Sequence, residues 1–272
     1  ALRVALASLN IEKNDEVITQ SFTFVATAEA IIESGAKPVF TEINQTLNMC
    51  PIDLKKKITK KTKAVIVVHM LGVPANLDEI KKICKKNKIF LIEDTAWGCG
   101  AKFKNKFLGT HGDIGTYSFD FAKTITTGEG GMCVFKNKKH YFAAKAWHDH
   151  GHENNPSLPR WEDSRSSSGF NYRMSELQGA VGIAQLRKLD YSDDETKDIR
   201  KLFSEIKQDK PSSLRKIQSN LIKREDSFSP TQKLKIIKVD EKLGEHHEIY
   251  WGVVPSLFGN LLVAITYHGL CG

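Results

Sequence analysis

Two side chains in this sequence have types and positions that could do chemistry together. Lys123 lies in Gly115-Thr-Tyr-Ser-Phe-Asp-Phe-Ala-Lys-Thr-Ile-Thr-Thr-Gly-Glu-Gly-Gly131, between an apolar segment and a glycine-rich turn. A lysine in that setting is held near backbone and away from bulk water, which favours its neutral, nucleophilic amine. Asp94 closes the apolar run Ile89-Phe-Leu-Ile-Glu-Asp94, where a strand would end. An acid at a strand's carboxyl end can face such a lysine across a cleft. A Schiff-base lysine opposite a carboxylate that holds a pyridinium nitrogen is the pairing that pyridoxal phosphate chemistry uses. Taken singly, the two residues read as a surface lysine near a hairpin and an aspartate capping a helix. Together, and with the glycines, they point to a cofactor site.

The elements that must position them follow from periodicity. From residue 15 to 135 short apolar runs alternate with helical patterns. Strands are predicted at 16–19, 38–41, 64–69, 89–93, 115–119 and 131–135, and helices at 24–34, 52–58, 76–86 and 139–148. Strands this apolar are covered on both faces, so the alternation predicts an α/β fold with a mainly parallel sheet between helical layers. Ligands of such sheets gather at the carboxyl ends of the strands, where Asp94 falls. The opening Ala-Leu-Arg-Val-Ala-Leu-Ala-Ser-Leu reads as an amphipathic helix with no N-cap before it, and the natural chain is expected to begin earlier. The segment 151–169, rich in Asn, Pro, Ser and Arg, reads as a long loop, and a further helix is predicted at 175–189. Beyond Asp190 the character changes: 191–245 is charged with few apolar anchors, a helix is predicted near 196–207, and 253–267 reads as a buried strand pair. The expected division is a large domain over 1–190 and a diverged or partial C-terminal domain over 191–272.

Composition bounds the function. The 272 residues, 40% hydrophobic and 26% charged, suffice for a substantial core. The net charge of +8 comes from lysines scattered over predicted helix faces, such as Lys55 to Lys57, Lys81-Lys82 and Lys85-Lys86, without interleaved aromatics. A solvated surface is therefore expected rather than a nucleic-acid site. Five cysteines with no C-x-x-C pair indicate reduced thiols and a cytoplasmic protein. Pro255, Gly259 and Asn260 interrupt the longest apolar stretch, so no membrane span is expected. His148, His150 and His152 alternate at a helix-to-loop exit with no cysteine nearby, and a loop role is favoured over a metal site. Gly128-Glu-Gly-Gly131 lacks the spacing of a nucleotide-triphosphate loop and reads as a tight turn.

Several ordered motifs carry a resemblance. Ser21-Phe-Thr-Phe-Val-Ala-Thr-Ala-Glu-Ala-Ile31, Gly35-Ala-Lys-Pro-Val-Phe40, Ile92-Glu-Asp-Thr-Ala96, the lysine segment from Tyr117, Asp149-His-Gly151 and Gly169-Phe-Asn-Tyr-Arg-Met-Ser-Glu-Leu-Gln-Gly-Ala180 are similar to those of the DegT/DnrJ/EryC1/StrS sugar aminotransferases. The resemblance covers nearly all of residues 1–190. It implies an aspartate-aminotransferase-like (PLP fold type I) large domain, a smaller C-terminal domain, and a homodimer with shared active sites. Lys123 resembles the Schiff-base lysine, which also shuttles a proton, and Asp94 resembles the carboxylate on the pyridine nitrogen. Phe24 falls where the family sets an aromatic ring against the cofactor; without the motif it reads equally as a core residue of a helix. Ser118 resembles a hydroxyl donor to the cofactor phosphate, and Asn171 a residue that reaches the phosphate of the neighbouring subunit. The implied reaction takes the amino group of glutamate and delivers it to a keto-sugar, usually nucleotide-linked. Relatives with His in place of the lysine are sugar dehydratases, and Lys123 sets this chain apart from them. The run 148–156 and Pro159-Arg160 resemble a sub-lineage associated with surface-polysaccharide sugars, aminated octulosonates among them.

This chain departs from the family pattern in three places. The glycine and small hydroxyl residue that bind phosphate at a helix N-terminus would lie just before Ala1. Trp97 stands where many members carry Gln or His. The part after Asp190 does not match the family's C-terminal domain. A truncated, non-catalytic relative serving as a binding or regulatory module is therefore the alternative reading.

Overall fold

The computed structural model describes residues 1–189 and the strands at 249–256, 259–266 and 269–271. The chain divides into two compact units, Ala1–Gln208 and Asp209–Gly272. In the first, the elements run α1 (Leu2–Ser8), β1 (Glu16–Gln20), α2 (Val25–Glu33), β2 (Lys37–Thr41), α3 (Pro51–Lys57), β3 (Thr62–Val68), α4 (Leu77–Asn87), β4 (Phe90–Asp94), β5 (Lys102–Phe103), β6 (Lys106–Phe107), β7 (Ile114–Ser118), β8 (Gly131–Phe135), α5 (Lys138–Trp147) and α6 (Glu176–Leu186).

Six strands form one sheet in the order β2-β1-β3-β4-β7-β8. All its pairings are parallel except β7 with β8, which is antiparallel. All six expected strands are present and helices connect them as the periodicity indicates. Residues along a strand alternate between its faces, and the sheet sorts its apolar side chains accordingly. Val65, Val67 and Leu91 join Leu54, Leu77, Ile80 and Ile83 of α3 and α4 in one core. Val17, Ile66, Ile92 and Ile114 join Ala5, Leu6, Ala30 and Ile31 of α1 and α2 in the other. Two helical layers thus enclose the sheet. Leu6, Ile31, Ile66, Leu77, Ile80 and Ile92 are fully buried, each contributing roughly 1.5–3 kcal/mol.

Local signals set the helix ends. The Asn76 side chain caps α4 by accepting from the Glu79 N–H, and Asn137 caps α5 through Lys139. Ser175 and Gln178 form a reciprocal capping box on α6. The Gln178 amide also donates to the Glu129 carbonyl at 2.7 Å, which ties α6 to the glycine turn after Lys123.

Segment 151–169 contains a single short 3-10 turn, Arg160–Glu162, and is held by carboxylates. Asp149 accepts from the Arg160 guanidinium at 2.6 and 2.9 Å and from Arg173 at 2.5 Å. Asp163 accepts from the Asn154 and Asn155 N–H groups and from His152.

In the second unit, β9 (Ile249–Ser256), β10 (Gly259–Thr266) and β11 (Gly269–Cys271) form an antiparallel three-stranded sheet, so the apolar run at 253–267 does form a strand pair. The helix expected near 196–207 lies outside the described residues.

Candidate active site

The carboxyl ends of β3, β4 and β7 open onto a cavity of about 420 Å³. Its lining includes Phe24 and Thr27 from the start of α2, Asp94 and Trp97 at the end of β4, Ser118 at the end of β7, Lys123 and Tyr172. Four of the five expected site residues, Phe24, Asp94, Ser118 and Lys123, therefore meet in one place. Asn171 does not line the cavity; its backbone pairs with Asp149, next to Tyr172.

Asp94 forms the floor and is 6% exposed. Its Oδ2 accepts from the Thr27 hydroxyl at 3.1 Å and its Oδ1 from the Ala96 N–H at 3.1 Å. Burial pushes its carboxyl above the usual range; the Ala96 and Thr27 hydrogen bonds and the nearby Lys123 offset that only in part. A buried carboxylate with two neutral donors and, among the described residues, no ion-pair partner suits a cationic ring nitrogen, because a positive charge would relieve the desolvation.

Lys123 sits in the connection between β7 and β8. The Phe119 N–H donates to the Gly130 carbonyl and the Thr127 N–H to the Phe119 carbonyl, and Ile125 is buried, so the segment between them projects as a short loop. The turn needs its glycines: Gly128 has φ +79°, and a Cβ at Gly130 would collide with the Thr127 hydroxyl. The lysine is half-buried rather than sealed from water, a correction to the expectation from its neighbours, and its Nζ lies 4.1 Å from the Trp97 ring centroid.

Phe24 corrects the core reading of that residue. It is the N-cap of α2 and 71% exposed, so its ring stands at the cavity instead of packing inside. The Ser118 hydroxyl accepts from the Asp120 N–H at 3.4 Å, and its own hydrogen has no protein acceptor among the described residues. The first turn of α1, Ala1 to Arg3, also lines the cavity. The positive end of the helix dipole suits an anion there.

Beneath the site lies a polar network that the sequence does not reveal. Glu93 and His69 are fully buried. Glu93 Oε2 accepts from His69 Nε2 at 3.1 Å and from the Gly109 N–H at 3.0 Å, and Oε1 accepts from the His111 and Gly112 N–H groups, each at 2.6 Å. His69 Nδ1 accepts from the Ala75 N–H at 3.1 Å, which leaves the ring proton on Nε2. Burial pushes the Glu93 carboxyl up, but His69 and the backbone donors outweigh it and the net shift is downward. Thr27 was also missed; it lies one turn after Phe24 on α2, and that spacing was the signal available.

The three alternating histidines have separate environments. His148 bonds the Lys145 carbonyl, His152 lies between Asp163 and Arg165, and His150 is exposed with φ +55°.

The profile of the DegT/DnrJ/EryC1/StrS aminotransferase family matches residues 1–242. The chain belongs to this family. GDP-perosamine synthase of Escherichia coli O157:H7 is 42% identical over 191 residues, which are 70% of this chain and 51% of that enzyme. Among solved structures, Helicobacter pylori PseC, an aminotransferase involved in the biosynthesis of pseudoaminic acid, superposes with a TM-score of 0.69 at 29% identity, over 78% of this chain and 58% of that one. The PLP form of Spr1654 from Streptococcus pneumoniae, a putative sugar aminotransferase by its published description, gives 0.65 at 25% identity over 70% and 53%. The large domain is thus of the expected aspartate-aminotransferase-like type. The chain spans about half the length of the curated relatives it matches. No helix among the described residues is long and apolar enough to cross a membrane.

Proposed function

We propose that this chain provides the cofactor-binding part of a pyridoxal 5'-phosphate-dependent sugar aminotransferase that moves an amino group from glutamate to a keto-sugar. The observation that carries this reading is that Lys123 and Asp94, a buried carboxylate without an ion-pair partner among the described residues, line one cavity. In an enzyme of this kind the group would be held at three points. Asp94 would hold its ring nitrogen, Lys123 its aldehyde carbon, and Ser118 with the first turn of α1 its phosphate. When bound, pyridoxal phosphate supplies an electron sink that makes the α-hydrogen of an amino compound removable.

The chain's own residues do the rest. Thr27 and the Ala96 N–H fix the orientation of the Asp94 carboxyl group, so its oxygens are aimed before any ligand arrives. Lys123 Nζ takes and returns the proton on the substrate carbon that bears the amino group. Phe24 offers a ring face at the cavity wall, worth about 0.5–1.5 kcal/mol beyond burial when another ring stacks on it.

Asn171 lies outside this cavity, and α6 exposes Leu177, Val181, Ile183 and Leu186. Both support a homodimer in which Asn171 serves the neighbouring subunit's phosphate. A cytoplasmic enzyme making amino sugars for surface polysaccharide, lipopolysaccharide included, is the setting that its relatives and its reduced thiols favour. Residues 1–190 would be the large domain and 191–272 a diverged or partial C-terminal domain.

The test is direct. Purified protein given pyridoxal phosphate should turn yellow, and borohydride should fix the cofactor's mass on the peptide that holds Lys123. Lys123→Ala should abolish half-transamination with glutamate while leaving the circular dichroism spectrum unchanged. A colourless protein or label on other lysines would instead support a non-catalytic relative, and turnover retained in Lys123→Ala would refute the role of Lys123.

A further inference from the structure

Trp97 departs from the family pattern, and its surroundings give it a task. The ring faces the lysine: Nζ of Lys123 lies 4.1 Å from the ring centroid, within the roughly 6 Å over which an indole face attracts an ammonium group. Among the described residues, no hydrogen bond or ion pair holds the Lys123 head group. The neighbour the structure gives it is an aromatic face.

The backbone that carries Trp97 is locked. The Thr95 N–H donates to the Thr116 carbonyl at 2.9 Å, and the Gly98 N–H to the Thr95 carbonyl at 2.9 Å. Gly72, with φ +75°, abuts the Trp97 carbonyl so closely that a Cβ there would lie 2.8 Å from it. The Ala96 N–H donates to Asp94 Oδ1. One turn at the end of β4 therefore fixes both the carboxylate on the cavity floor and the ring on its wall.

We infer that Trp97 is the positioning residue for Lys123, seating the lysine head group on its indole face inside the cavity. A lysine side chain has about 2 kcal/mol of rotamer entropy, and an unseated one would spend most of its time pointing into solvent. Among side chains the indole offers the widest face available to a cation. The inference rests on the proposed function only in taking Lys123 as the cofactor's lysine. The seat itself does not depend on the cofactor.

Two readouts separate those claims. The first is carbon NMR of the protein after reductive methylation of its lysines with labelled formaldehyde, with the Lys123 signal identified by its absence in Lys123→Arg. A methyl group over an indole face is shielded, so this signal should stand upfield of the other lysines. It should return to their envelope in Trp97→Leu and Trp97→Gln, and stay displaced in Trp97→Phe. The second readout is the share of borohydride-fixed pyridoxal phosphate found on the Lys123 peptide. It should fall about three- to tenfold in Trp97→Leu and Trp97→Gln, the size of a partly exposed cation–π contact, and less than about twofold in Trp97→Phe. A Lys123 signal inside the envelope in the unaltered protein, or one that Trp97→Leu leaves in place, overturns the inference. A folded Trp97→Phe protein that behaves like Trp97→Leu in both readouts does so too. A displaced signal with no label on Lys123 in the unaltered protein supports the seat and overturns the cofactor reading instead.

Discussion

Replacing Glu93 by Gln tests the network under the site by exchanging one carboxylate oxygen for an NH2 group. Both carboxylate oxygens act as double acceptors: Oε1 for the His111 and Gly112 N–H groups, Oε2 for His69 Nε2 and the Gly109 N–H. An amide must place its NH2 in one of these positions, where it faces two donors whichever way it flips. Two buried N–H groups then lose their acceptor. At roughly 1–3 kcal/mol for each unsatisfied buried donor, and with one charge-assisted contact removed, the loss should be about 3–5 kcal/mol. That is a large fraction of the 5–15 kcal/mol of an ordinary domain. Differential scanning calorimetry at pH 7 should show a fall in melting temperature on the order of 10 °C. The pH dependence carries a second signature. The Glu93 carboxyl is held below its usual value of 4.5, so its stabilisation is present above that value and is lost as pH falls through the lower folded value. Glu93→Gln should therefore lose less stability than the unaltered protein on going from pH 5 to pH 3. A loss under about 1 kcal/mol at pH 7, or an unchanged acid limb, would show that water or a shifted loop already satisfies these donors and would refute the reasoning.

Three further substitutions probe the cavity and the loop beside it. Asp94→Asn should leave melting temperature unchanged or raise it slightly at pH 7, because burial holds this carboxyl above its usual 3.8 and its charged form opposes folding as pH rises past that value; the same variant should lose at least about 100-fold in cofactor-dependent glutamate half-transamination, measured in a single turnover. Phe24→Ala should weaken pyridoxal phosphate binding by about tenfold in an absorbance titration with no loss of stability, since the ring is mostly exposed. Asp149→Asn should cost about 1–3 kcal/mol, the lower part of the range for a buried charge network because both guanidinium partners are partly exposed, and limited proteolysis should then cut within 150–168 faster than in the unaltered protein. The two arginines hold the Asp149 carboxyl far below its usual value, so acid below about pH 4 should begin to loosen the same segment in the unaltered protein.

What the sequence disclosed depended on how local its cause was. The six strands were legible because a strand covered on both faces carries a continuous apolar run, as Ala64–Val68 and Phe90–Ile92 do within Thr62–Val68 and Phe90–Asp94. Asp94 and Lys123 were legible because the carboxyl edge of such a sheet is where ligands gather. Phe24 was half legible: its motif suggested a ring at the cofactor, while helix periodicity alone suggested core, and the structure has it as an exposed N-cap residue. The contact of Glu93 with His69 was hidden because the residues are 24 positions apart and meet only through the pairing of β3 with β4. The 151–169 segment looked structureless since hydrophobic period was the guide. Its order comes from Asp149 and Asp163 collecting donors from across the loop, a polar arrangement that leaves no periodic trace. Trp97 showed in the sequence only as a departure, because its meaning depends on a lysine that the next strand returns to it.

Glu93 and Asp94 show how one strand end serves two purposes. They are consecutive, so they face opposite layers: Asp94 meets Thr27 of α2, while Glu93 meets His69 and the 109–112 loop. Both are almost fully buried, yet their carboxyl groups shift in opposite directions. Desolvation acts on both alike, so the difference lies in the donors. Glu93 has four close ones, three of them fixed backbone N–H groups, and is satisfied by the fold itself. Asp94 has two, and its charge is stabilised incompletely. A protein that needed Asp94 only for structure could bury Asn there, with its amide oxygen accepting from the Ala96 N–H, its NH2 donating to the Thr27 hydroxyl and no charge to desolvate. The carboxylate therefore makes sense as half of a pair whose other half arrives with the ligand, and the rigidity supplied by Glu93 keeps the unsatisfied half from collapsing onto a partner of its own.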